Sequence, residues 1–132
     1  MKSIKYEVII EPFAERHFIR TFAKKYKGAW DITLSTLKLE FEQVDFLFQK
    51  SIASIIFPSE KINLCKTEFK IAGSNESRKY SGNRCIIAVH KDEKKVCVLL
   101  VYNKTDLSSG RNETTEWQEI IKEHYPEYKE LL

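Results

Sequence analysis

The feature that most constrains the fold is a pair of apolar runs, residues 84–90 (RCIIAVH) and 96–102 (VCVLLVY), flanking the polar pentapeptide KDEKK at 91–95. Both runs are rich in Val, Ile, Leu and Cys and have strand length rather than helix length, so they predict a β-hairpin. A third run, residues 65–71, alternates. Cys65, Thr67, Phe69 and Ile71 take one face, and Lys66, Glu68 and Lys70 the other, as in a half-buried strand. Between it and the hairpin lies a polar loop, residues 73–83, with Arg78, Lys79 and the turn Ser81-Gly82-Asn83. The whole stretch predicts an antiparallel meander with cations at strand ends and in one loop.

Two amphipathic segments precede the meander. Ile4, Tyr6, Val8 and Ile10 alternate with polar residues and predict a strand over 4–10, and Pro12 suits the start of the helix that follows. In that helix, over 13–26, Ala14, Phe18, Phe22 and Tyr26 repeat on one face, and Gly28 ends it. Asp31 or Thr33 caps a longer helix to about residue 49, with Trp30, Leu34, Leu37, Phe41, Val44 and Phe48 as its apolar set. The pair forms a helical hairpin whose stripes need one face of the sheet. Residues 52–57 are apolar but short, and read as the helix tail plus a connection. A last helix over 114–125 carries Trp117, Ile120 and Ile121 on one stripe, with Glu116, Glu119 and Glu123 outside it. That stripe is either core against the chain's own sheet or a mobile docking surface or gate.

The chain of 132 residues fits a single domain spanning 1–132. Residues 61–104 carry a formal charge of +6 and residues 105–132 one of −4. A basic meander attracts polyanions, whereas an acidic tail is ordinarily a solvated helix. Cys65, Cys85 and Cys97 are odd in number and show no CxxC spacing, which argues against a disulfide framework or zinc site and for buried thiols in a reducing cytoplasm. No run approaches a membrane span. No metal-ligand spacing, phosphate-cradling glycine loop or Ser-His-Asp arrangement is present, so neither metal nor cofactor is expected. His17, His90 and His124 are read as structural or exposed.

In this order, Phe69-Lys70-Ile71, the turn Ser81-Gly82-Asn83-Arg84, and the strand 96–101 running into Tyr102-Asn103-Lys104-Thr105-Asp106-Leu107 resemble the RelE/ParE superfamily of bacterial toxins from toxin–antitoxin pairs. The resemblance covers residues 4 to about 107. It implies an α+β fold, β-α-α-β-β-β-α, with a curved antiparallel sheet of about four strands and a helical hairpin packed on one face. It also implies a ribosome-dependent endoribonuclease that cleaves mRNA in the ribosomal A site through 2′-hydroxyl attack, neutralised by a cognate antitoxin. The alternatives are a ParE-like, non-enzymatic inhibitor of DNA gyrase and a non-toxic binding domain on the same scaffold. Ala72 and Thr105 stand where RelE itself has basic residues.

Metal-free RNA cleavage needs a base at the ribose 2′-hydroxyl, cations around the pentavalent phosphate and an acid for the leaving oxygen. The resemblance makes Lys70, Arg84 and Lys104 the candidate catalytic residues, converging on the concave sheet face. Arg84 offers paired donors to phosphate. Lys70 acts as a base only if neighbouring cations lower its affinity for protons, and otherwise helps electrostatically. Lys104 assists the leaving group or binds phosphate. Arg78 and Lys79 are candidates for substrate binding from the loop, and Tyr102 for stacking on a base. The bland alternatives are solvated lysines, a sheet-packing Tyr102, and Arg84 paired with Glu76 or Asp92.

Overall fold

The computed structural model describes residues 4–107 and 112–132. Five strands, β1 (Glu7–Ile10), β2 (Ala53–Phe57), β3 (Ile62–Phe69), β4 (Asn83–His90) and β5 (Lys95–Asn103), form one sheet in the order β1-β5-β4-β3-β2. Strands β2 to β5 pair antiparallel as the meander pattern requires. Two features differ from the expected antiparallel, four-stranded sheet. Residues 53–57 form an edge strand rather than a connection, and β1 pairs with β5 in parallel, Glu7 opposite Lys95 and Ile10 opposite Val98. The parallel pairing follows from chain direction. Two helical passes make β2 run opposite to β1, and three further reversals bring β5 back to the direction of β1.

The first helical rod consists of α1 (Pro12–Ala14), a π turn (Glu15–Ile19) and α2 (Arg20–Lys25). Proline at its start has no N–H to leave unpaired. Gly28, at φ 82°, reverses the chain into α3 (Ala29–Glu42), and Gln43 breaks the helix before α4 (Val44–Gln49). The expected single helix over 31–49 is therefore two. Their apolar stripe, Trp30, Leu37, Phe41, Val44 and Leu47, is buried against Phe69, Cys65, Cys85, Ile87, Val96, Val98 and Val101 on one sheet face. Tyr6 closes this core while its hydroxyl donates to Asp45.

A second core fills the opposite face. Helix α5 (Glu113–His124) and a 3-10 turn (Pro126–Leu131) lay Trp117, Ile121, Tyr125 and Tyr128 onto Leu64, Ile86, Ala88, Leu99 and Leu100. Trp117 and Ile121 are 0% exposed, so the stripe of the last helix is core. Tyr125 also donates from its hydroxyl to the Leu99 carbonyl at 2.7 Å.

One irregularity decides which side chains join this face. The β4–β5 register pairs Ile86 with Leu100 but Ile87 with Val98, which leaves Leu99 as the extra residue of a β-bulge. Leu99 and Leu100 consequently both point toward α5, and the alternation beyond them is inverted. Strict alternation from Val96 would send Tyr102 to the helical-hairpin face. The bulge sends it to the α5 face, opposite Arg84.

Candidate functional site

The turn before β4 is built to deliver Arg84. The Ser81 hydroxyl lies within hydrogen-bond distance of the carbonyls of Phe69 and Arg78, between which its one proton is shared, and accepts from the Asn83 N–H. Gly82 sits at φ 79°, and a Cβ there would meet the Asn103 side-chain nitrogen at 3.1 Å. Asn103 in turn donates to Asn83, and the Lys104 N–H donates to the Gly82 carbonyl at 2.8 Å. The turn and the end of β5 are thus one rigid unit.

From it Arg84 points inward. Its side chain is 10% exposed, lying between Glu68 (Nη1 to Oε1, 3.9 Å) and Glu113 (Nε to Oε2, 3.4 Å). These carboxylates, not Glu76 or Asp92, are its ion partners. Neither Nε nor Nη1 makes a hydrogen bond, so two buried donors of a charged group remain open. The same Glu113 oxygen accepts a 2.6 Å hydrogen bond from the Tyr102 hydroxyl and lies 3.8 Å from Lys66 Nζ. Burial, then the hydrogen bond and negative charge of Glu113, push the Tyr102 hydroxyl far above the ordinary tyrosine range, so it stays a donor. A cluster of two cations, two carboxylates and a phenol results at the edge of the α5 core.

The other sequence candidates are dispersed around it. Arg78 donates from Nη1 to the Glu68 carbonyl and pairs with Glu40 through Nη2, which ties the loop to α3. Lys79 is exposed and lines a pocket of about 370 Å³ with Lys66, Glu68, Arg78, Ser51 and Ser54. Lys70 is exposed on the helical-hairpin side, where it lines a different pocket with Thr33, Thr36 and Glu40. It does not share the side that holds Arg84, because strand pairing ends at Phe69 and the chain turns toward α3. Lys104 is exposed in the 3-10 turn Lys104–Asp106, beside Gly82. The expected convergence of Lys70, Arg84 and Lys104 on one open face is therefore not what the fold builds.

Tyr102, expected as a stacking ring, is 1% exposed and has no free face for a base. Sequence reasoning missed Lys66 and Glu113. Lys66 shares strand parity with Glu68 and could have been found that way, whereas no local signal ties Glu113 to β4.

Among the described residues, no group of three or more His, Cys, Asp or Glu side chains could hold a metal ion, and no helix is long and apolar enough to cross a membrane. Cys65, Cys85 and Cys97 are free and buried. Burial pushes the Cys65 thiol up to about 12, which leaves it unreactive.

No family model matches the sequence, and no curated protein matches it significantly. Among solved structures, the chain is similar to one in the crystal structure of the archaeal RelE–RelB complex from Pyrococcus horikoshii OT3. The TM-score is 0.51 at 11% identity, over 75% of this chain and 94% of that one. At that identity the likeness is one of architecture, and the architecture is RelE-like.

Proposed function

We propose that this protein is the toxin of a toxin–antitoxin pair, a metal-independent endoribonuclease that cuts mRNA in the ribosomal A site and is neutralised by a cognate antitoxin protein. The RelE-like fold supports the toxin class, and its occurrence in a RelE–RelB complex supports a protein antitoxin as partner. The observation that carries the chemical part is Arg84, a buried guanidinium with two donors lacking hydrogen bonds, held by a rigid turn at the sheet face. Such a group is suited to a phosphate in a water-poor site, where a charged donor counts for more than in bulk water.

In this reading Arg84 holds the scissile phosphate. The ribose 2′-oxygen attacks phosphorus, and the bond from phosphorus to the 5′-oxygen breaks. The products are a 2′,3′-cyclic phosphate and a free 5′-hydroxyl, with one proton leaving the 2′-oxygen and one reaching the 5′-oxygen. Lys104, next to the turn that presents Arg84, is the proposed donor to the leaving oxygen. Lys70, Arg78 and Lys79 add positive potential along the path of the strand, and Lys70 is offset from the reacting phosphate.

A second reading has its own support. Ala72 and Thr105 lack the cations found in RelE, and Arg84 is already paired, which suits a ParE-like toxin that inhibits DNA gyrase by contact alone. The test is to induce the wild type and Arg84→Gln in bacteria and to map mRNA 5′ ends with and without translation. Translation-dependent cuts and growth arrest are expected from the wild type, with both lost in a folded Arg84→Gln protein. Growth arrest without RNA cuts, accompanied by loss of gyrase supercoiling activity, would transfer the assignment to the second reading.

A further inference from the structure

We infer that Lys66, Arg84 and Tyr102 form a phosphodiester-binding site for single-stranded RNA, and that Glu113, the first residue of α5, occupies it from within the chain. The Glu113 carboxylate does what a phosphate oxygen would do there. One oxygen accepts the Tyr102 hydrogen bond at 2.6 Å and faces Arg84 Nε at 3.4 Å and Lys66 Nζ at 3.8 Å. It does this incompletely, because Arg84 Nε and Nη1 stay without hydrogen bonds although the side chain is only 10% exposed. A clasp serving stability alone would satisfy those donors, since unmet buried polar groups are costly. Nor does α5 need this carboxylate as a cap. Asn112 already accepts from the Thr115 N–H at 2.8 Å.

The way in lies alongside. The Lys66, Glu68 and Glu113 side chains are 27%, 30% and 24% exposed, so the cluster meets solvent at its rim. Lys66 and Glu68 also line the pocket of about 370 Å³ that carries Lys79 and Arg78, a volume within the usual range for a small-ligand site. An anion entering by that pocket passes Glu68, whose carboxylate stays 3.9 Å from Arg84 Nη1, and takes the place of Glu113. Rotation of Glu113 outward exposes Arg84 while Trp117 and Ile121 hold α5 on the sheet. The choice of RNA as ligand rests on the ribonuclease reading above, whereas the masked anion site does not.

The test titrates a 2′-O-methyl oligonucleotide, which keeps its phosphodiesters but has no 2′-hydroxyl to cut. The proteins are the wild type, Glu113→Gln, Glu113→Gln with Arg84→Gln, and Glu123→Gln. The last makes the same charge change at a residue whose side chain is 76% exposed. Glu113→Gln is expected to tighten binding about tenfold, equivalent to about 1.4 kcal/mol. Arg84→Gln should cancel that gain, and Glu123→Gln should stay within about twofold of the wild type. Unchanged affinity in Glu113→Gln, equal tightening in Glu123→Gln, or a gain that survives loss of Arg84 would overturn the proposal.

If Glu113→Gln does not fold, Glu113→Asp decides. A carboxylate one methylene shorter should bind the oligonucleotide more tightly than the wild type, and equal or weaker binding counts against the site. Cutting of an all-ribose oligonucleotide is scored separately. Tightened binding with no cutting keeps the site and removes the ribonuclease reading. Cutting that is indifferent to Glu113 keeps that reading and removes the inference.

Discussion

Arg84 pairs inward because the Ser81-Gly82-Asn83 turn leaves it no other direction, and its partners arrive from β3 and from α5. An exposed strand-end arginine could be cut to alanine at little cost, but a buried, ion-paired one cannot. Removing one member strands the other charge in a poor solvent. Arg84→Ala should therefore lower stability by about 2–4 kcal/mol, less than a deeply buried pair because both carboxylates keep some solvent. Glu113→Gln in the same background should return part of that loss, which a double-mutant cycle in urea will measure. An unchanged midpoint in Arg84→Ala would mean that the pair holds nothing. Gly82 is the other residue with little freedom. At φ 79°, and with Asn103 at 3.1 Å from any Cβ, Gly82→Ala should cost about 1–2 kcal/mol and loosen the placement of Arg84. Thermal unfolding of that variant at the wild-type temperature would contradict the strain.

The elements that could be read from the sequence are those whose pattern is local. The two amphipathic helical segments and β3 follow from three-and-four spacing or alternation, and β4 and β5 from strand-length apolar runs either side of a polar turn. The edge strand β2 was missed because residues 52–57 are mostly apolar but short and follow directly on a helical segment, a pattern that fits a helix tail equally well. Pairing with β3 decides it, and that contact is not a local property. The parallel β1–β5 pairing was hidden by the same omission, because without β2 the chain makes one reversal fewer and β5 would run antiparallel to β1. The bulge at Leu99 could not be read either, and it alone moves Tyr102 to the Arg84 side. Of the cluster, Arg84 and Tyr102 were thus legible as strand-borne candidates, whereas Lys66 passed as one polar residue on a strand face. Glu113 was hidden in an acidic helix that reads as solvated. Helix α5 is instead a wall of the second core. Trp117→Ala should cost about 3–5 kcal/mol in urea denaturation. Deleting residues 112–132 should yield insoluble protein, since Leu64, Ile86 and Leu100 would face water together. A soluble, cooperatively folding truncation would show that the second core is dispensable.

At the scale of the molecule, one sheet carries a core on each face, and ionisable groups are buried in both. Tyr6 and Cys65 lie on the helical-hairpin side, and Tyr102, Tyr125 and Tyr128 on the α5 side. Burial is the first cause in every case, and it opposes the charged form. The Tyr6 hydroxyl is pushed up from 10.0 to about 12, with Asp45 adding to the effect, and the Cys65 thiol from 9.0 to about 12. Cys85, Tyr102, Tyr125 and Tyr128 shift further in the same direction. Each therefore holds its proton more tightly in the folded chain than in the unfolded one. The unfolded chain loses these protons first, so the stabilisation is complete below about pH 9 and falls as pH rises toward 12. Each group can contribute at most about 1.4 kcal/mol per pH unit to that slope. The urea midpoint should hold steady through neutral pH and drop progressively from about pH 9 to about pH 11. Tyr6→Phe, which removes one of the titrating groups, should make the drop shallower without abolishing it. A midpoint independent of pH over that interval would mean that these hydroxyls and thiols reach water in the folded protein, and the two-core packing described for both faces would be wrong.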